Sequence, residues 1–411
     1  MAAVMTPYVR SLGVFRLAAR RGRIRACRPM STLRSLQERD PLEPRPWPYK
    51  EKGYRWRHTF IDGTSKRLHE NSKLIVVEGN LASGKTALAK EIAKSFDMYH
   101  MPAFDIDMVL TNEYGQDLRQ FYEHFPPNLR VPDMRMFHEQ PHRDGVAMMQ
   151  HIIYISRWEQ LMNALAHILN TGQGVVMERS PQSDFVFANA MRYKNFVSPE
   201  FFRLHHIIRK LTIKMLHFWP HLFVYIDIPV EQCLKNIRDR AIPYENNGNV
   251  IDAQYLTVVE DIEGLDFDFY SAHSGHVLQE WAEEKLDLHW EDWRLKFSNK
   301  RAMFDRLYKN YLGEHVTDCA ELYLNHNETR QYIRAMRQKV LRSNHSAGFI
   351  VERGDSLYDI LTLRHFGAPS ASPSTPWWEY YYKSSFYAVT AGPVHDVALK
   401  GEYFDDQDLE H

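Results

Sequence analysis

The stretch Leu74-Ile75-Val76-Val77-Glu78-Gly79-Asn80-Leu81-Ala82-Ser83-Gly84-Lys85-Thr86 limits what this chain can fold into more than any other. An apolar, β-branched run leads into G-x-x-x-x-G-K-T, and Ala87 to Lys94 follows with helical composition and spacing. Together these are the strand, glycine loop and helix of a phosphate-binding unit. The chemistry asks for these residue types. Gly79 and Gly84 let the backbone turn tightly, so that several N–H groups and the positive helix end converge on one anion. Lys85 is placed to reach the outer phosphates and the Thr86 hydroxyl to sit on Mg²⁺. Asn80, Ala82 and Ser83 complete the cradle. Ala82 stands where many such loops have a third glycine, which stiffens the loop.

The elements around this unit point to an α/β fold with a parallel sheet flanked by helices. A second strand is expected over Tyr99 to Phe104, ending at Asp105-Ile106-Asp107. Further short buried strands are expected at Gly174 to Ser180 and Leu222 to Asp227, separated by long helical patterns over Val146 to Asn170 and Pro199 to Trp219. Pro229 opens the helix that carries Arg238 and Arg240. Residues 111 to 144 read as an insertion of short helices and turns. Gly79, Asp105 and Glu178 all fall at the carboxyl ends of strands, where open parallel sheets bind ligands.

The two ends differ from this core, which is assigned to residues 71–342. Residues 1–37 hold Arg10, Arg16, Arg20, Arg21, Arg23, Arg25, Arg28 and Arg34 with no acidic residue before Glu38, and Val14, Phe15, Leu17 and Ala18 give a short apolar face. That pattern is a mitochondrial transit peptide, with a basic tail as the alternative. Residues 38–70, with Pro41, Pro44, Pro46 and Pro48, read as an extended arm. Beyond the core, Trp281 to Tyr311 reads as helical, His315 to Leu324 as a last strand and Asn327 to Arg342 as a basic amphipathic helix. The extension 343–411 carries Trp377-Trp378-Glu379-Tyr380-Tyr381-Tyr382 and too few aliphatic residues for a core of its own. Such a segment is buried by a partner surface or docks on its own domain.

The formal net charge is −1, so no global basic field argues for nucleic acid, and no apolar run approaches a membrane span. Three cysteines without metal-ligand spacing suit a reducing compartment.

A second constellation gathers polar groups of the kind that suit a base edge. Gln150 and Arg157 are seven apart and project from one face of a helix. An amide can pair donor and acceptor with a base edge, and Arg157 with Asp184 adds complementary charge. Glu178, ending a buried strand near the loop, suits Mg²⁺ held through water, and Arg179 suits a phosphate or sugar oxygen. The loop motif, Gln150 with Ser156-Arg157, Glu178-Arg179-Ser180 with Ser183-Asp184 and Phe187, and Ile237-x-x-Arg240-Ala241 together resemble the deoxyribonucleoside kinases over roughly residues 73 to 260.

That resemblance implies a purine nucleotide or deoxynucleotide, with Mg²⁺ at Thr86 and Glu178 and the base held by Gln150, Arg157 and Asp184. Two departures matter. The family's Glu-Pro pair, whose Glu is the general base, is replaced by Asp105-Ile106-Asp107, and Asn236 and Ile242 stand where two lid arginines would be. A working kinase would use Asp105, Arg179 and Arg240. With its presequence, proline-rich arm and aromatic tail, the chain is more similar to the kinase-like accessory subunits of mitochondrial NADH dehydrogenase, complex I. This implies a non-catalytic structural role on the matrix side, with other subunits of the complex as partners through both arms. FAD has been ascribed to those subunits; this sequence shows no flavin or dinucleotide motif and no cysteine run for an Fe–S cluster.

Overall fold

The computed structural model describes residues 15–16, 45–50, 52–111, 117–216, 218–262, 293–297, 319–323 and 326–335. Its centre is β2 (Leu74–Gly79), whose six residues are all buried. A strand covered on both faces needs a continuous apolar run, and Leu74 to Val77 provides it. On one side β2 pairs with β4 (Val175–Glu178), which pairs in turn with β3 (Tyr99–Met101). On the other it pairs with β5 (Leu222–Ile226), and the two-residue strand β1 (Phe15–Arg16) lies outside β5. All pairings are parallel, in the order β1-β5-β2-β4-β3.

The register positions the site. Val77 is level with Glu178, and Gly79 with Ile226, so the loop leaving β2 has Glu178 on one flank. The helix α1 (Lys85–Ser95) follows the loop directly. Next comes the one-turn α2 (Asp107–Leu110), and within 111 to 144 two 3₁₀ segments and α3 (Met134–Glu139) follow, short elements of the kind that polar, proline-containing stretch predicts. The long helix α4 (Val146–Thr171) is buried almost all round, which explains its Met, Ile and Leu content. Helices α5 (Phe185–Tyr193), α6 (Pro199–Leu216), α7 (Val230–Arg240) and α8 (Ala253–Glu260) complete the layers.

Two expectations are corrected. From Trp47 onward the N-terminal segment is a packed element, not an extended arm. The Trp47 amide donates to Asn170 O at 2.9 Å, and the Arg67 guanidinium bonds Asn170 O and the Asp62 carboxylate. Arg294, fully buried, donates to Asp62 Oδ2 at 2.7 Å, to Asp62 O and Thr64 Oγ1 at 2.9 Å, and stacks on the Tyr54 ring. A Cβ on Gly172, at φ +78°, would stand 2.1 Å from Arg67 O, so the segment lies directly on the end of α4. Second, residues 319–323 form a turn rather than a last strand. The amides of Leu322 and Tyr323 both bond Cys319 O, and this local closure buries Cys319 and Leu322.

Residues 293–297 and His326–Ala335 are helical. The rest of the presequence and of the two predicted C-terminal helices, and the whole tail 343–411, lie outside the described residues.

Candidate functional site

The loop is built by backbone conformations that its residues dictate. Gly79 has φ +147°, and a Cβ there would meet Ile226 O and Ser83 Oγ at 2.9 Å, so only glycine fits between loop and β5. Gly84, at φ +86°, turns the chain into α1. Ala82 is left-handed as well, at φ +54°, where a non-glycine residue costs roughly 1–2 kcal/mol. The missing third glycine is thus a local strain held by its surroundings.

Lys85 folds back over this ring, donating to Asn80 O and to Ser83 Oγ, the latter at 3.1 Å. Burial, reinforced by the nearby Arg179 guanidinium, pushes its pKa well below the usual lysine range. Thr86 Oγ1 donates to Glu178 Oε2 at 2.6 Å, and the other oxygen, Oε1, lies 2.7 Å from His100 Nε2. Among the described residues no group of three or more His, Cys, Asp or Glu side chains is arranged for a metal. One carboxylate beside one hydroxyl fits Mg²⁺, a hard ion that takes oxygen donors and completes its shell with phosphates and water.

Behind the loop lies a second layer. Arg179, at φ +65° and buried, lies with its guanidinium 4.5 Å from the Phe187 ring centre, and Arg157 approaches the same ring at 5.1 Å. Burial, with Arg157 nearby, lowers the Arg179 pKa to about 10. Asp184, fully buried, accepts from Gln150 Nε2 at 3.0 Å and from Arg157 Nη1. Burial raises the Asp184 carboxyl and Arg157 opposes it. Gln150, Arg157 and Asp184 therefore come together as one hydrogen-bonded group.

The residues expected to carry catalysis are placed differently. Asp105 is exposed, and its Oδ1 accepts the Asp107 amide at 3.1 Å, closing the turn into α2. Arg240 pairs with Glu245 at 2.7 Å on an open face. Asn236 donates to Ala82 O at 2.9 Å and accepts from Gln232 at 2.7 Å.

Three participants escaped the sequence reading. Glu78 is a fully buried acid whose Oε1 accepts from Ser180 and Ser183 at 2.7 and 2.6 Å, fastening the Glu178-Arg179-Ser180 turn to the loop. Its signal was available, a lone carboxylate inside an apolar strand. His100 on Glu178 and His205, buried 3.7 Å from Asp184 and depressed to about 3 by burial and neighbouring His151, gave no such signal.

An α/β sheet of this order with a phosphate loop at its carboxyl edge defines a nucleotide-phosphate-binding class of fold. The family pattern described as Deoxynucleoside kinase matches residues 75–285, and the chain belongs to that family. It is 34% identical over 238 residues to "NADH dehydrogenase [ubiquinone] 1 alpha subcomplex subunit 10, mitochondrial" of Bos taurus, covering 57% of this chain and 64% of that protein. The rat protein of the same name is 36% identical over 202 residues, 49% of this chain and 54% of its own length. The chain thus spans just over half to just under two thirds of these relatives. A "Deoxyguanosine kinase" of Dictyostelium discoideum is 26% identical over 219 residues, 53% of this chain and 67% of that one.

Proposed function

We propose that this chain is an accessory, non-catalytic subunit of mitochondrial NADH dehydrogenase, complex I, which keeps a nucleotide site without needing turnover. The observation that carries this reading is the contrast within the site. The loop, Lys85, Arg179 and the Gln150–Arg157–Asp184 group are assembled, while Asp105 and Arg240 are committed to Asp107 and Glu245. A positioned base contributes about 10²- to 10⁴-fold and a charge-stabilising arginine about 10³- to 10⁵-fold, so a site short of both binds far better than it catalyses. The relatives named as subunits of NADH dehydrogenase supply the assembly.

The ligand is a purine nucleotide or deoxynucleotide, its phosphates on Gly79 to Thr86, its base on Gln150, Arg157 and Asp184, and Mg²⁺ at Thr86 and Glu178. The protein acts on the matrix side, peripheral to the inner membrane; among the described residues no helix is long and apolar enough to cross a bilayer. Contact with neighbouring subunits is supported by Trp56, Phe60 and Ile61, which are 67%, 78% and 84% exposed on the packed N-terminal segment, with Trp56 edge-on to Phe60 at 5.4 Å. Clustered large apolar groups on a rigid base are what an interface buries. Native electrophoresis of mitochondrial extracts tests the reading: co-migration with NADH dehydrogenase activity is expected, and a free, monomeric matrix protein would sink it.

A second reading, an active deoxynucleoside kinase, is favoured by the intact Thr86–Glu178 pair beside Lys85. It requires Asp105 to take the proton of the attacking sugar hydroxyl. Phosphoryl transfer that is abolished by Asp105→Asn would establish it.

A further inference from the structure

The lid helix of this site touches the phosphate loop through a neutral amide. Asn236 Nδ2 donates to Ala82 O at 2.9 Å across 154 residues of sequence. One turn earlier on the same helix, Gln232 Nε2 donates to Asn236 Oδ1 at 2.7 Å, which fixes the amide with its NH₂ toward the loop. Two residues before Ala82, Asn80 Nδ2 donates to Leu256 O of α8 at 3.0 Å. The outer edge of the loop, Asn80 to Ala82, is therefore tied at two points, to α7 and to α8, and Ala82 is the residue in the left-handed conformation. Arg240 of α7, the lid arginine expected at a transferring phosphate, is engaged with Glu245.

We propose that Asn236 is a positioning residue that latches the lid helix α7 onto the phosphate loop, so that nucleotide release is limited by breaking the Asn236–Ala82 bond. The proposal rests on the nucleotide-binding reading above and deepens it. An arginine in this place grips the ligand, and its hold on the lid ends when the phosphate leaves. An asparagine grips the loop backbone, and both partners of that bond are protein groups, so its strength does not depend on the phosphate. The site then behaves as a holder with slow exchange, and the same bond steadies Ala82 in its strained conformation. A neutral hydrogen bond of this kind converts to an expected change of about 2- to 12-fold in an opening equilibrium.

The test uses the full chain in wild-type form and as Asn236→Ala, Asn236→Asp, Gln232→Ala and, as a control on an exposed position of the same helix, Lys235→Ala. Release of a fluorescent purine deoxynucleotide is followed by stopped flow, and hydrogen exchange of the loop amides is followed on nucleotide-stripped protein. Asn236→Ala and Asn236→Asp are both expected to speed release and loop exchange by about 2- to 12-fold. Gln232→Ala should give a smaller change in the same direction, and Lys235→Ala none. The aspartate variant separates a donor from a filler: it keeps the shape and loses the donor, so a merely space-filling role would leave it silent. Unchanged release and exchange in both Asn236 variants would overturn the latch. A wild type that takes up no nucleotide would overturn the nucleotide reading together with the claim about release. The latch itself is decided separately, by loop exchange in the stripped protein.

Discussion

Lys85 gives nucleotide binding a pH dependence whose sign follows from its surroundings. The amine is nine-tenths buried between Asn80 O and Ser83 Oγ, and desolvation, with Arg179 nearby, lowers its pKa well below the usual range while Glu78 and Glu178 partly oppose this. A bound polyphosphate adds negative charge beside it and raises the pKa again, so binding takes up a proton between the depressed value of the free protein and the raised value of the complex. Affinity then falls as pH rises, by up to tenfold, or about 1.4 kcal/mol, per pH unit for one proton.

Stability of the nucleotide-free protein runs the other way. Between the depressed folded pKa and the ordinary lysine value the unfolded chain binds more protons than the native one. Native stability therefore rises with pH through that window and is lost as pH falls through the folded pKa. Calorimetric titration of a purine nucleotide over a series of pH values below the ordinary lysine pKa, in buffers of different ionisation enthalpy, counts the proton. Net uptake is expected in wild type and none in Lys85→Met, where the pH slope of affinity also flattens. Zero uptake with a flat profile in the wild type would refute the reasoning.

Three further outcomes follow from the same geometry. Asp62→Ala leaves the buried Arg67 and Arg294 side chains without their shared carboxylate, at a cost of about 3–5 kcal/mol, seen as a lower denaturation midpoint and faster proteolytic release of the N-terminal segment. A loss under about 1 kcal/mol would mean that the segment is not sutured as described. Glu178→Gln should remove the tightening of nucleotide binding by Mg²⁺ and change Mg²⁺-free binding much less, because the Glu178 oxygens bond the Thr86 hydroxyl and His100 of β3. Equal Mg²⁺ enhancement in both proteins would reject the metal assignment. Charged replacements at Trp56 and Phe60 should leave the melting temperature unchanged and abolish co-migration with the respiratory complex. Undiminished co-migration would remove that patch from the interface.

What was legible in the chain follows its local patterns. Leu74 to Lys94 could be read as strand, loop and helix because each residue type there answers a backbone or phosphate requirement within a few positions. The Gln150–Arg157 spacing announced a shared helix face, and Asp184 closes the group from the start of α5. Contacts between distant residues were not legible. The arm looked extended because prolines and charges dominate its start, yet Asp62 meets Arg294 across 232 residues. Asn236 was visible as an arginine that is absent, but its acceptor, Ala82 O, depends on how α7 crosses the loop. The segment near Cys319 has strand-like composition and closes as a turn, because burial of Cys319 and Leu322 is satisfied locally.

The central claim is that a kinase-family fold here serves as a nucleotide-holding part of a larger assembly. The most direct measurement is to purify the protein under mild conditions, record its native size, identify any nucleotide released on denaturation, and assay phosphoryl transfer from ATP to each deoxynucleoside with Mg²⁺. Migration with the respiratory complex, a retained purine nucleotide and no turnover is the predicted result. A free protein that phosphorylates a deoxynucleoside would contradict it, and would return Asp105 and Arg240 to catalysis.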